Sequence, residues 1–286
     1  MISIDPKEIP TAKLHGYLLG SVAPRPIAFA STVDADGNPN LSPFSFFNVF
    51  SAYSPIMVFS PARRVRDNTT KHTLENVLAT KEVVINVVNY EMAHQMSLSS
   101  TEYPEGVNEF EKAGFTMLTS DKIKPFRVAE SPVQFECKVN DVIHLGNEGG
   151  AGNLIVCEVV KLHIHEAILN EKGEIDQHKI DLIARAGGSF YSRAKEGFFE
   201  IPKPISTLGI GVDAIPEDIR NSEILTGNNL GMLGNVEQLP SQQDVDNFAK
   251  DNANFVGLET TKKHTFAKDF LNNNDVESAW KVLLIK

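Results

Sequence analysis

The sequence predicts a mainly β fold, a barrel or sandwich with one or two flanking helices, followed by a partly helical C-terminal extension. Three observations predict it. Short apolar runs recur at close spacing, the breaks between them hold Pro, Gly, Asp and Asn, and the period turns helical only locally.

Residues 26–33 (PIAFASTV) form an apolar run ended by Asp34-Ala35-Asp36-Gly37-Asn38, a strand entering a hairpin turn. Residues 40–50 read as a second strand rich in aromatics, and 56–60 as a third after the break at Ser54-Pro55. Leu74, Val77 and Leu78 stand at i, i+3 and i+4, so 71–80 is expected as a helix. Residues 83–88 return to strand. Val133, Phe135, Cys137 and Val139 alternate along 133–143, and 154–164 is another apolar run after Gly149-Gly150-Ala151-Gly152. Past Pro202 and Pro204 the chain is rich in Gly and Asn and weakly periodic as far as residue 240. Residues 244–253 and 265–284 then look helical, with Val276, Ala279, Trp280 and Leu283 as an apolar stripe. The expected organisation is a domain over 1–205 and an extension over 206–286 that packs on the barrel or on a partner subunit.

The 286 residues suffice for a sizeable core, and 42% hydrophobic with 22% charged residues is ordinary for a globular protein. A net charge of −10 argues against a nucleic-acid partner or an anionic membrane surface. Any anionic ligand must therefore be held by a local cluster of donors. The start, MISIDPKEIP, has neither a basic stretch nor an apolar core, so no signal peptide is expected, and no run of about 18 apolar residues is available to span a membrane. The two cysteines, Cys137 and Cys157, lie in apolar runs and read as buried, reduced thiols. The expected location is the cytoplasm.

Two segments carry chemistry. Arg63-Arg64-Val65-Arg66 is followed by Thr69-Thr70-Lys71-His72-Thr73 where a strand gives way to a helix. A helix N-terminus with unpaired N–H groups and nearby cations suits a phosphate monoester. A plain N-cap at Thr69 or Thr70 beside a solvated arginine loop is the alternative. In residues 40–51 (NLSPFSFFNVFS), Ser42, Ser45 and Asn48 are interleaved with Phe44, Phe46, Phe47 and Phe50. Core packing explains the aromatics, whereas a flat heterocycle with hydrogen-bonding edges explains both sets. Other features carry less. His163 and His165 share a strand face without a third metal ligand, Asp34-x-Asp36-Gly37 reads as a turn, and no dinucleotide fingerprint or serine elbow is present, so no metal site is expected.

Taken in order, these segments resemble the flavin reductase-like, FMN-binding split-barrel family that includes flavoredoxin. Residues 23–32 (APRPIAFAST) are similar to that family's opening strand. Asp36-Gly37-x-x-Asn40-Leu41-x-Pro43-Phe44-Ser45-x-Phe47-Asn48 resembles its second. Ser54-Pro55, Lys71-His72-Thr73, Glu82-Val83-Val84-Ile85-Asn86 and Arg185-x-Gly187-Gly188-x-x-Tyr191 follow at the expected places. The resemblance runs from about residue 10 to 200 and implies an FMN-binding split β-barrel working as a homodimer.

Carried over by position, the resemblance implies Ser31 and Thr32 near the cofactor, with Ser45, Phe46, Phe47 and Asn48 lining the ring. It puts Ser60, Arg63, Lys71 and Thr73 around the phosphate, and Arg25 and Arg185 as cations by the pocket. One departure matters. Reductases of the wider superfamily often carry Gly-Asp-His where this chain has Gly152-Asn153-Leu154, so the histidine that meets a nicotinamide is missing. The expected function is an FMN-dependent oxidoreductase passing electrons from a reduced donor, NAD(P)H or a redox protein, with no protein nucleophile or general base. The alternative is a non-enzymatic FMN-binding electron carrier that depends on a partner reductase.

Overall fold

A computed structural model describes residues 1–104, 106–201 and 208–286. Its contacts divide the chain into two compact units, Met1–Phe198 and Phe199–Lys286. The expected boundary between residues 205 and 206 lies outside the described residues.

The first unit opens with a helix that the sequence pattern does not announce, α1 (Thr11–Ser21). Strands β1 (Ala28–Val33), β2 (Pro39–Phe44), β3 (Phe47–Ala52) and β4 (Pro55–Phe59) follow. Then come α2 (His72–Thr80), β5 (Glu82–Val87) and two short helices, α3 (Ala93–Leu98) and α4 (Glu109–Ala113). A small pair, β6 (Met117–Leu118) and β7 (Arg127–Val128), precedes the long hairpin β8 (Val133–His144) and β9 (Asn153–Ile164). The unit closes with α5 (Gln177–Ile180) and the pair β10 (Ile183–Arg185) and β11 (Tyr191–Arg193).

Seven strands form one antiparallel sheet in the order β2-β1-β5-β8-β9-β4-β3. The sheet does not close. Its two edges, β2 and β3, are consecutive in the chain, so only Ser45 and Phe46 span the gap between them. Residues 40–50, expected as one strand, are thus two strands on opposite edges, joined by Ser45 and Phe46 with no Gly or turn signal between them. The fold expectation otherwise holds: a mainly β split barrel with flanking helices.

Strand β1 is buried at every position because it separates two cores. Ala28 and Ala30 face a cluster with Phe44, Phe59, Leu74, Val77, Ile85, Cys137 and Cys157. Phe29 on the other side packs with Leu41, Met92, Met96, Phe110 and Phe115 under α3 and α4. The two thiols are free and buried, and burial pushes both upward, Cys157 to about 12. The β8–β9 turn lies against residues 60–65. A Cβ on Gly149 would stand 3.0 Å from the Val65 carbonyl oxygen, and one on Gly152 would stand 2.8 Å from Ser60 Oγ, so the glycines permit this close approach.

The second unit is helical: α6 (Glu217–Arg220), α7 (Gly227–Gly234), α8 (Gln242–Asp251), α9 (Thr260–Asn272) and α10 (Val276–Leu284). It has its own core of Ile219, Leu233, Leu271, Trp280 and Leu283, and Trp280 Nε1 donates to the Leu233 carbonyl at 3.1 Å. The single helix expected over 265–284 is two, broken at Asn273–Asp275, where Asn274 takes φ 59°. The stretch expected to lack periodicity holds α6 and α7; Thr226 caps α7 in a reciprocal box with Asn229. No helix among the described residues is long and apolar enough to cross a membrane.

Candidate functional site

The gap in the barrel is where the site forms. Beside Ser45 and Phe46 lies a cavity of about 260 Å³. Pro43, Phe44 and Phe46 give it an apolar wall, Ser42, Ser45, Ser60 and Ser100 give hydroxyls, and Arg25, Lys71 and Arg185 give cations. His15 and Leu19, one turn apart on α1, line it as well, with the His15 ring centre 6.3 Å from that of Phe46. A polar annex shares Ser42, Lys71 and Ser100 with the cavity and adds Asn40, Arg64, Thr73 and Ser99.

Lys71 stands at the N-cap of α2, where it offers no acceptor, and no side chain caps the helix. The first N–H groups are therefore open to an anion arriving in the annex. The turn before the helix is held by its own arginines. Arg63 Nε donates to Asn68 Oδ1 at 2.6 Å and Nη2 to the Asn68 carbonyl at 2.7 Å, so the side chain turns away from the cavity. Arg64 reaches inward instead. It pairs with Glu102 at 2.9 Å, and Arg66 (3.2 Å) and Lys71 (3.5 Å) meet the same carboxylate. The Arg64 hydrogen bond, and after it the charges of Lys71, Arg64 and Arg66, hold Glu102 below the ordinary carboxylate range against the opposing effect of burial.

At the base of α2 lies a buried hydrogen-bond network. Asn40 Nδ2 donates to Thr32 Oγ1 (3.2 Å) and Thr73 Oγ1 (3.0 Å), and Asn76 Nδ2 donates to Thr32 Oγ1 (3.0 Å). These bonds pin the first turn of α2 to β1 and β2. Ser31 Oγ, the neighbour of Thr32, is buried with no partner among the described residues and does not line the cavity.

Arg25 and Arg185 are joined through their backbones, each N–H donating to the other's carbonyl at 2.8 Å. The Arg25 guanidinium, 6% exposed, gives Nη1 to the Leu19 (2.6 Å) and Val22 (2.5 Å) carbonyls and contacts Ala186 O and Ser45 Oγ at 3.3 and 3.4 Å. It thus ties the end of α1 to the gap strand. Burial, then the charge of Arg185, lowers its proton affinity.

Of the twelve residues expected at a site, the structure brings Arg25, Ser45, Phe46, Ser60, Lys71 and Arg185 to the cavity and Thr73 to the annex. Ser31 and Thr32 lie behind it in β1. Phe47 packs on the barrel core, and Asn48 is exposed, accepting from the Val49 N–H at 2.8 Å. His15 and Leu19 were not expected at the site, because α1 buries none of its residues and has a weak periodic signal, nor were Ser99 and Ser100, although Ser97-Leu98-Ser99-Ser100-Thr101 is a visible hydroxyl run. His163 pairs with Glu136 at 2.7 Å, while His165 accepts from Ala167 N at 3.2 Å, so the two histidines do not act together.

Residues 19–179 match the flavin reductase like domain, more than half of the chain. The chain belongs to the flavin reductase-like family. An uncharacterized protein of Aquifex aeolicus is 39% identical over 66% of this chain and 93% of its own length. Among solved structures, nitrilotriacetate monooxygenase component B from Bacillus cereus is 28% identical with a TM-score of 0.65, covering 71% of this chain and 98% of its own. A 2-nitrobenzoate 2-nitroreductase of Pseudomonas fluorescens has the same TM-score over 73% of this chain and 100% of its own; at 24% identity that likeness speaks for the fold alone. The family match ends before the helical unit of this flavin reductase-like chain begins.

Proposed function

We propose that the cavity at the barrel gap binds FMN and that the protein is a cytoplasmic oxidoreductase passing electrons from a reduced donor through it. One observation carries this reading. A chain of net charge −10 concentrates Arg25, Arg185 and Lys71 around an apolar, hydroxyl-edged cavity, next to an uncapped helix start. Such a donor set suits a flat ring joined to a phosphate. Ser45, Phe46 and Ser60 line the ring and its side chain. Lys71, Arg64 and the first turn of α2 hold the phosphate, with Thr32 and Thr73 fixing that turn and Arg63 shaping the loop before it. FMN when bound supplies a ring that accepts a hydride or electrons and releases them again; the protein supplies position, shelter from water and field.

The same reading makes the protein a homodimer. Supporting it, the edge strand β3 exposes Val49, Phe50 (68%) and Tyr53 follows it fully open (100%), an apolar surface that suits a second copy.

A specific observation favours a second reading, an electron carrier served by a partner reductase. Leu154 stands at the place where relatives often have histidine and has no ring nitrogen to offer, and Asn153 beside it is buried. The Asn153 N–H donates to Ser60 Oγ (3.0 Å), its carboxamide to the Pro61 carbonyl (2.9 Å), and its Oδ1 meets His144 Nδ1 (2.6 Å). Asn153 is occupied in holding the loop, and Leu154 offers a nicotinamide no hydrogen bond.

An absorption spectrum of purified protein, followed by rapid mixing with NADH and NADPH, tests both. Bound flavin that bleaches rapidly supports the reductase; bound flavin that does not bleach supports the carrier. Protein that takes up no FMN refutes both.

A further inference from the structure

Four arginines of the first unit, Arg64, Arg66, Arg127 and Arg193, have a carboxylate within 4.0 Å. Among the described residues Arg25, Arg63 and Arg185 have none; Arg63 is taken up by Asn68 on the surface, whereas Arg25 and Arg185 stand side by side and Arg25 is buried. A buried cation beside a second, partly exposed one, with no counter-charge, is costly unless something negative faces them. The pair differs from the cations of the annex, where Glu102 already balances Arg64, Arg66 and Lys71.

The two side chains are not equivalent. Arg25 spends its donors on the Leu19, Val22 and Ala186 carbonyls and on Ser45, so it contributes charge rather than a grip. Arg185 uses only Nη1, donated to the Phe190 carbonyl at 3.0 Å, and its guanidinium lies 4.6 Å from the centre of the Tyr191 ring. Its other N–H groups have no partner among the described residues, and it lines the cavity. The arrangement is a pre-oriented positive edge that needs no rearrangement to meet negative charge.

We propose that the Arg25–Arg185 pair stabilises the negative charge that the flavin ring gains on reduction, so that the protein holds reduced flavin more tightly than oxidised flavin. The inference rests on the FMN reading above. A hydride from a dihydronicotinamide, or two electrons and a proton from a reduced carrier protein, leaves the donor oxidised and the ring with one added negative charge on its N1–O2 edge. Arg185 donates to that edge, and Arg25 behind it adds field and keeps Ser45 and α1 in place.

The test uses the full-length FMN-loaded protein with Arg185→Gln and Arg185→Lys. Three quantities are measured: affinity for oxidised FMN and for riboflavin, the two-electron potential against a reference dye, and affinity for sulfite. Sulfite adds its electron pair to flavin N5 and places the same negative charge on the ring without any donor. In Arg185→Gln sulfite binding should weaken about tenfold and the potential fall by about 30 mV, the equivalent of tenfold for two electrons. The ratio of FMN to riboflavin affinity should not change, and Arg185→Lys should recover most of both effects because it keeps the charge. Unchanged sulfite affinity and potential overturn the proposal. A loss of FMN affinity that riboflavin does not share also overturns it, by making the pair the phosphate site. Wild-type protein that binds neither flavin refutes the FMN reading and this inference with it, and the first titration shows which has failed.

Discussion

Glu102 occupies the cations that a phosphate would use. Lys71 and Arg64 both contact its carboxylate, at 3.5 and 2.9 Å, and both line the annex beside the α2 N-terminus. An arriving phosphate competes with Glu102 for them. The Glu102 side chain is 43% exposed, so water screens these pairs strongly, and contacts of this kind are worth about 0.2–1 kcal/mol each. Glu102→Gln removes the competing charge and should release about 1 kcal/mol to the ligand, tightening FMN about fivefold. Titration of FMN fluorescence gives the affinity, with riboflavin as a control that has no phosphate and should not respond. The pH dependence follows from the sign of the shift. Glu102 is held below its unfolded value, so its pairing is complete above the ordinary glutamate range and is lost as pH falls through its folded value. The gap in FMN affinity between wild type and variant should therefore close in acid, the protonation of the phosphate itself weakening both alike. Weaker or unchanged FMN binding by Glu102→Gln, or equal tightening of riboflavin, would refute the competition.

Thr32→Val leaves the buried amides of Asn40 and Asn76 short of an acceptor and should cost about 1–3 kcal/mol in urea unfolding; a neutral result would mean that this network does not hold α2. Asp181, paired with Arg193 (2.7 Å) and Lys195 (2.8 Å), is lowered to about 2, chiefly by the Arg193 hydrogen bond. Its contribution is full above the unfolded aspartate value near 4 and disappears as pH falls towards 2, so Asp181→Asn should flatten the acid limb of stability in that window; an unchanged limb contradicts the assignment. Phe50→Asp puts a charge on the exposed face of β3 and should convert a dimer to a monomer in light scattering, whereas a persistent dimer places the interface elsewhere.

Much of the barrel was legible because its strands are short apolar runs between turn residues, and the order of the segments pointed to the family. The crossing between the sheet's two edges was hidden. Phe44, Ser45, Phe46 and Phe47 hold no Gly, Asn or Asp to mark a break, and only the curl of the sheet, a long-range property, decides that β2 ends and β3 begins there. Choosing between Arg63 and Arg64 was equally beyond a local reading. The two are adjacent, and Asn68 at φ 58° draws one outward while Glu102, far along the chain, draws the other inward. Helix α1 gave a weak signal because none of its residues is buried. The Gly152-Asn153-Leu154 step shows the reverse: the histidine's replacement by Leu154 is visible in the sequence, but the Pro61 carbonyl and Ser60 hydroxyl that occupy the neighbouring Asn153 are not.

The most direct measurement is a crystal structure of the full-length protein soaked with FMN. Ring density is expected beside Phe46 and Arg185, with the phosphate at Lys71 and the first turn of α2. Flavin bound anywhere else, or a phosphate lying on Arg25 and Arg185, would contradict it.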